Sequence, residues 1–250
     1  MFTKVKTDTE IANMRISGHM LASVLEVLRR EVKAGLTTKD LADLARQELD
    51  GLGGKPAFLG YQGFPDVICI SVNDEVVHGI PGDRVLANGD VVGLDFGVNY
   101  RGMITDAAIS VIVGGKGDEK VKKLVRDTEA AMLAGLETLH DGVKVGDIGA
   151  AVEKVLNKGG YGIVRDLVGH GVGHNVHEEP NIPNYGRAGT GPLLRAGMTV
   201  AIEPMATLGT DDVVIANDQW TVQTRDGSLS AHFEHTVLIT EDSYEILTTL

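Results

Sequence analysis

The chain has 250 residues, 43% of them hydrophobic and 23% charged, which is enough length and apolar content to bury a large core and excludes a disordered protein. Its 23 basic and 35 acidic residues leave a net charge of −12, with no basic run longer than two or three residues. A surface built to neutralise nucleic acid or an anionic membrane is therefore excluded as well.

The opening MFTKVKTDTE lacks the apolar core of a secretory signal, and no stretch reaches the roughly 18 to 20 apolar residues of a membrane span. The expected location is the cytoplasm. The lone cysteine, Cys69, can form no intramolecular disulfide and fits a reducing compartment. In chain order, the apolar spacing predicts a long helix over residues 8–33, a glycine turn, and a second helix opened by Thr38. Strands follow, among them the run VVGLDFGVNY and the run MITDAAISVIV. After the loop GGKGDEK the order returns: a helix over 118–140, a glycine turn, a helix opened at Gly146, and strands again. The 32 glycines are scattered through GLGG, GGKG, NKGGYG and GHGVG without a short period, which marks turns and excludes collagen-like or linker sequence.

That return is a repeat. Leu86, Gly89, Val92, Leu94 and Asp95 match Leu194, Gly197, Val200, Ile202 and Glu203 at a displacement of 108. Upstream, Gly35, Asp40, Leu41, Leu49 and Gly53 match Gly142, Asp147, Ile148, Leu156 and Gly160 at 107. Two blocks at nearly one offset indicate a duplicated α/β (α+β) half, the copies spanning about 1–115 and 116–250 within a single domain at 1–250, because the only junction is a short loop.

Each copy ends a strand in an acid. Asp95 closes VVGLD, Asp106 sits in MITDAAISVIV, Glu203 in TVAIEPMATL, and Glu234 in LSAHFEHTVLIT. An ionised carboxylate among aliphatic neighbours either raises its pKa or finds a cation, and four together favour the cation. Asp95 and Asp106 are eleven residues apart across the turn NYRG, a hairpin spacing. Glu203 and Glu234 repeat the pattern across a longer excursion. Four negative charges converging at the pseudo-axis are balanced by two divalent cations. A fifth ligand is expected from DLVGHGVGHNVHEEP, with His170 favoured between its glycines and His174 and His177 as alternatives. Carboxylates with one imidazole suit manganese, iron, cobalt or zinc rather than a thiolate structural site.

The motifs VNDEVVHGIPGD, GLDFG, TDAA, GHGVGHNVHEEP, AIEPM and SAHFEHT, in this order, resemble the type I methionine aminopeptidases of the pita-bread fold over nearly the whole chain. The resemblance implies duplicated halves sharing a central, curved, mainly antiparallel sheet covered by helices. It places the family's metal ligands on Asp95, Asp106, His170, Glu203 and Glu234. It further implies that His78 contacts the substrate amide, that His177 contacts the scissile carbonyl oxygen, and that Glu203 relays the proton of the attacking water. The side-chain pocket falls on Phe58, Tyr61, Phe64, Cys69 and Trp220 with Val176 nearby, and an unbranched thioether suits such an aromatic slot. Also implied are a monovalent cation near Asn73, Glu75 and Ser230, and methionyl peptides and nascent chains as substrates, near the ribosome, for a monomer. Two positions depart from the family pattern: Phe58, where many relatives carry a thiol, and His174-Asn175, in place of a basic-plus-small pair.

Other short patterns fail. DFG at 95–97 has no kinase catalytic loop before it, GHGVG crowds histidines where a pyrophosphate would lie, GGKG lacks the serine or threonine of a P-loop, and HEEP is not HExxH. Two rivals keep the fold: a proline-specific X-Pro aminopeptidase or dipeptidase, which usually carries a further N-terminal domain, and a non-catalytic binding module, disfavoured because all five ligand positions remain.

Overall fold

Thr7 opens the first helix. Its hydroxyl accepts the Glu10 amide at 3.3 Å, and the Glu10 carboxylate accepts the Thr7 amide at 2.8 Å, a capping box that starts α1 (Asp8–Glu31). In the computed structural model, which describes residues 2–250, Met14, Ser17, Leu21, Val24, Leu25 and Leu28 form the buried stripe of that helix. The same box, Thr37 with Asp40, opens α2 (Thr38–Leu52).

Strands β1 (Lys55–Pro56), β2 (Ile68–Val72), β3 (Glu75–Val77), β4 (Val91–Tyr100) and β5 (Met103–Ile112) complete the first half. The second supplies α3 (Glu119–Leu136), α4 (Val145–Gly159), β6 (Gly162–Ile163), β7 (Gly169–Gly171), β8 (Glu178–Ile182) and β9 (Thr199–Ile202). It continues through β10 (Met205–Thr207), β11 (Val213–Ile215), β12 (Val222–Thr224), β13 (Ser230–His232), β14 (Glu234–Ile239) and β15 (Tyr244–Ile246).

α3 stops four residues short of the predicted 140. The Thr138 hydroxyl donates to the Gly135 carbonyl at 2.7 Å and Leu139 folds back to the Leu136 carbonyl, which ends the regular ladder. α1 likewise ends two residues early, where Val32 leaves helical geometry. α4 begins one residue before Gly146, because Asp147 accepts the Lys144 amide at 3.0 Å.

The duplication is visible bond by bond. The Gly35 amide donates to the Leu86 carbonyl and the Gly142 amide to the Leu194 carbonyl, both at 2.9 Å. Thr37 bridges Val85 as Lys144 bridges Leu193. Gly53 and Gly160 end α2 and α4 in the same left-handed conformation, at φ 78° and 75°, which a residue with a Cβ adopts only at a cost.

The principal sheet has nine strands, in the order β1-β4-β5-β14-β9-β7-β8, with β2 also on β4 and β15 also on β14. All its pairs are antiparallel. The halves meet where β5 pairs with β14. α1 and α2 pack on β4 through Val92, Leu94, Phe96 and Val98, and the α3–α4 side packs on Val200, Ile202, Val237 and Ile239. Side chains alternate along a strand, so Asp95, between Leu94 and Phe96, points to the opposite face from the helices.

α1 lies close enough to the C-terminal segment that a Cβ at Gly18 would strike the carbonyl of Leu247. Gly18→Ala is expected to destabilise the protein by about 1–3 kcal/mol, the range for overpacking against backbone. The denaturant midpoint of the variant checks this, and an unchanged midpoint would refute the close approach.

Candidate active site

The turn between β4 and β5 is Arg101-Gly102, with φ 51° and 85°, the left-handed pair of a tight hairpin. Its register sets Asp95 opposite Ala108 and Asp106 opposite Gly97. The next strand sets Glu234 opposite Ala108 as well. Asp95, Ala108 and Glu234 therefore lie in one row across three strands, with Asp106 two residues along on the same face. The methyl of Ala108 leaves space between the acids. Glu203 follows directly on β9, and His170 on β7 pairs with Ala201.

These five side chains share one cavity of about 240 Å³, and Asp106, His170 and Glu234 bring ligand atoms within 4.8 Å of one another. Glu203 lies between two imidazoles, its Oε1 3.3 Å from His170 Nε2 and its Oε2 3.6 Å from His232 Nε2. His170 Nδ1 lies 2.9 Å from the Gly171 carbonyl, which fixes the proton on Nδ1 and leaves the Nε2 lone pair facing the acids.

The acids have no cationic side chain among the described residues. Asp95 Oδ1, Asp106 Oδ1 and Glu234 Oε1 are buried without a hydrogen-bond partner. Arg101 stacks instead on Tyr100 and Arg195 pairs with Asp141. Desolvation raises Asp95 to about 7, helped by the charge of Glu203, and raises Glu203 to about 8. Asp106 and Glu234 are driven well above the usual range by burial and then by the neighbouring acids. Orphaned carboxylate oxygens with one free imidazole nitrogen form a donor set that fits divalent cations.

Around the acids stand Phe58, Tyr61, Phe64, Cys69, His78, Val176, His177 and Trp220, joined by Gln62. Phe64 and Trp220 meet edge to face at 5.2 Å. Cys69 pairs in register with Asp95, so the apolar slot adjoins the acid row there. Burial, with Asp95 and Asp106 nearby, pushes the Cys69 thiol up, away from nucleophile chemistry. His78 adopts φ 60°, an uncommon conformation for a residue with a Cβ, and burial lowers it to about 4. The Tyr61 hydroxyl lies 3.0 Å from His177 Nδ1, and the His177 ring packs against His170 at 4.3 Å. A Tyr61 hydroxyl donating to Nδ1 would leave the proton of a neutral His177 on Nε2.

The structure does not bring His174 to the acids; its Nε2 meets Glu10 Oε1 at 2.7 Å, outside the cavity. The sequence reading missed His232, buried with its Nε2 unpartnered. Its position two residues before Glu234 was the available signal. Phe58, the unusual pocket residue, packs so closely on β4 that a Cβ at Gly97 would lie 2.5 Å from its Cε1. Gly97→Ala is expected to tilt that ring and raise KM for a substrate side chain seated in the slot about tenfold, roughly 1.4 kcal/mol, with kcat within about threefold. Steady-state kinetics check it, and an unchanged KM would remove Phe58 from the substrate slot.

Residues 12–241 match metallopeptidase family M24. The methionine aminopeptidase of Aquifex aeolicus is 44% identical, covering 100% of both chains. The crystal structure of methionine aminopeptidase from Thermotoga maritima superposes with a TM-score of 0.98 at 44% identity, again covering 100% of each chain. The prolidase of Pyrococcus furiosus shares the fold, with a TM-score of 0.78 at 23% identity, this chain covering 65% of its length. Row of acids, pita-bread architecture and full-length similarity point the same way: the chain belongs to metallopeptidase family M24, among the methionine aminopeptidases.

Proposed function

We propose that the protein removes N-terminal methionine from peptides and nascent chains in a metal-dependent hydrolysis, within one catalytic domain formed by both halves. The observation that carries this reading is the row of uncompensated carboxylates at the end of an aromatic slot. Asp95, Asp106, His170, Glu203 and Glu234 would hold two divalent ions, of cobalt, manganese, iron or zinc. Such ions supply a lowered pKa for water and polarisation of the scissile carbonyl.

The chain's own residues do the rest. Phe58, Tyr61, Phe64, Cys69 and Trp220 enclose an unbranched thioether side chain, since sulfur makes favourable contacts at ring edges. Where the slot meets Asp95, a free α-amine finds a carboxylate; an internal peptide bond brings no amine there, and cleavage is confined to the chain end. His78 faces the amide, and His177 Nε2–H donates to the carbonyl oxygen as charge develops on it. Glu203 takes the proton of the attacking water and returns it to the leaving amine. The Ser230 hydroxyl donates to the Asn73 and Glu75 carbonyls at 3.1 Å each, and these oxygens would face a monovalent cation there.

No helix of the described residues is long and apolar enough to cross a membrane, and the acidic balance gives nucleic acid no footing. We place the protein in the cytoplasm as a monomer acting close to the ribosome. A metal titration followed with a Met-Ala peptide and an X-Pro peptide tests the reading. Metal-dependent release of methionine is expected; preferential X-Pro cleavage would instead support a proline-specific enzyme, and stoichiometric metal without hydrolysis a binding module.

A further inference from the structure

We propose that Lys6 is a positioning residue for the reaction: its buried pairing with Glu178 straps the N-terminal segment onto the loop that carries His177 and sets where that imidazole stands. The proposal rests on the reading that His177 donates to the substrate carbonyl.

The loop from Gly173 to His177 joins β7 to β8 without regular structure of its own. Its shape is set by one carboxylate. Glu178 Oε1 accepts the amides of His174 at 2.8 Å and Asn175 at 3.0 Å, and Oε2 faces Lys6 Nζ at 3.4 Å. Both partners are enclosed, with side-chain exposures of 0% for Lys6 and 3% for Glu178. Lys6 Nζ also donates to the Thr3 hydroxyl at 2.8 Å and the Lys4 carbonyl at 3.1 Å.

The strap is tied at several points. The Thr3 amide donates to the Glu179 carbonyl and the Lys6 amide to the Gly197 carbonyl. A Cβ at Gly173 would lie 2.5 Å from Lys6 Cε, so the lysine stem supports the start of the loop directly. Outside, His174 Nε2 meets Glu10 Oε1 at 2.7 Å, which ties the loop to the first turn of α1. His174, which departs from the family pattern, therefore serves as the outer knot of this strap.

Stability alone is a weak reason to keep this pair, because desolvating two charges costs several kcal/mol per ion and an apolar pair of equal volume is often as stable. Charged groups with many directed hydrogen bonds do fix a geometry that an apolar pair would leave loose. His177 is the residue beside Glu178, and a displacement of about 1 Å in a group that meets the transition state can cost on the order of a hundredfold in rate.

The test is a double-mutant cycle on the metal-loaded enzyme. Lys6→Met, which keeps the stem and removes the charge, is expected to lower kcat for a Met-Ala peptide about ten- to a hundredfold with KM and metal stoichiometry near wild type. In a His177→Ala background the same substitution is expected to cost less than about twofold, because the group it positions is gone. Equal losses in both backgrounds, or a wild-type kcat for Lys6→Met, would overturn the strap. If Lys6→Met fails to fold, the exposed outer knot is cut instead with Glu10→Ala and His174→Ala together; a smaller loss of kcat that vanishes in the His177→Ala background supports the proposal, and an additive loss or none overturns it. A wild-type rate for His177→Ala alone would refute the role of His177, a separate failure.

Discussion

Glu203→Gln is expected to lower kcat for a Met-Ala peptide by about 10²- to 10⁴-fold, the usual contribution of a general acid–base group, while the protein stays folded and retains metal. Glu203 is placed for proton transfer by its position, a buried carboxylate lining the cavity between His170 and His232 and beside the other acids. Glutamine keeps the shape and one of the two oxygens that face His170 and His232, but it cannot carry the proton. Asp95, Asp106, His170 and Glu234 remain to hold the cations. Circular dichroism, metal content and steady-state kinetics together decide the matter; wild-type turnover would remove Glu203 from the proton path.

Chelation is expected to produce a protein whose melting temperature falls as pH rises from about 6.5 to 8.5, while the metal-loaded protein shows no such slope. In an unfolded chain the four carboxyls titrate near 3.9 to 4.3. In the folded, metal-free protein Asp95 reaches about 7 and Glu203 about 8, with Asp106 and Glu234 higher. The folded state then holds more protons than the unfolded one, so the contribution of these groups is complete below their unfolded values and is lost as pH climbs through the folded ones. The histidines run the other way. Burial lowers His170 to about 3 and His78 to about 4, so their stability is lost as pH falls below about 6.5. Above that value their influence is spent, and the carboxyls alone set the slope. The loss is on the order of a few kcal/mol, several degrees for a chain of this size. Differential scanning calorimetry with and without chelator measures it, and a melting temperature rising with pH in the chelated sample would contradict the burial of uncompensated acids.

The acids were legible because a carboxylate is out of place in a strand of valine and isoleucine; VVGLD and MITDAAISVIV each contain one anomaly, and the hairpin spacing joins them. The helix starts were legible from apolar spacing, at residue 8 and at Thr38; the side chains that cap them, Thr7 and Thr37, each satisfy free amides one residue earlier. Ends were harder. α3 closes at Leu136 through a bond from Thr138 that no periodicity announces. His232 carried only the faint signal of standing two residues before Glu234; its approach to Glu203 exists only once β13 is paired with β10. Lys6 and Glu178 lie 172 residues apart, and neither charge is unusual in its own stretch of sequence.

The seam between β5 and β14 has an ancestral consequence. Two of the acids come from one copy and two from the other, so an unfused ancestor could have gathered all four only by self-association, and its grip on cations would have weakened on dilution. Joining the copies through a short tether turned that encounter into an intramolecular one. Cations held between joined copies would stay bound however dilute the protein.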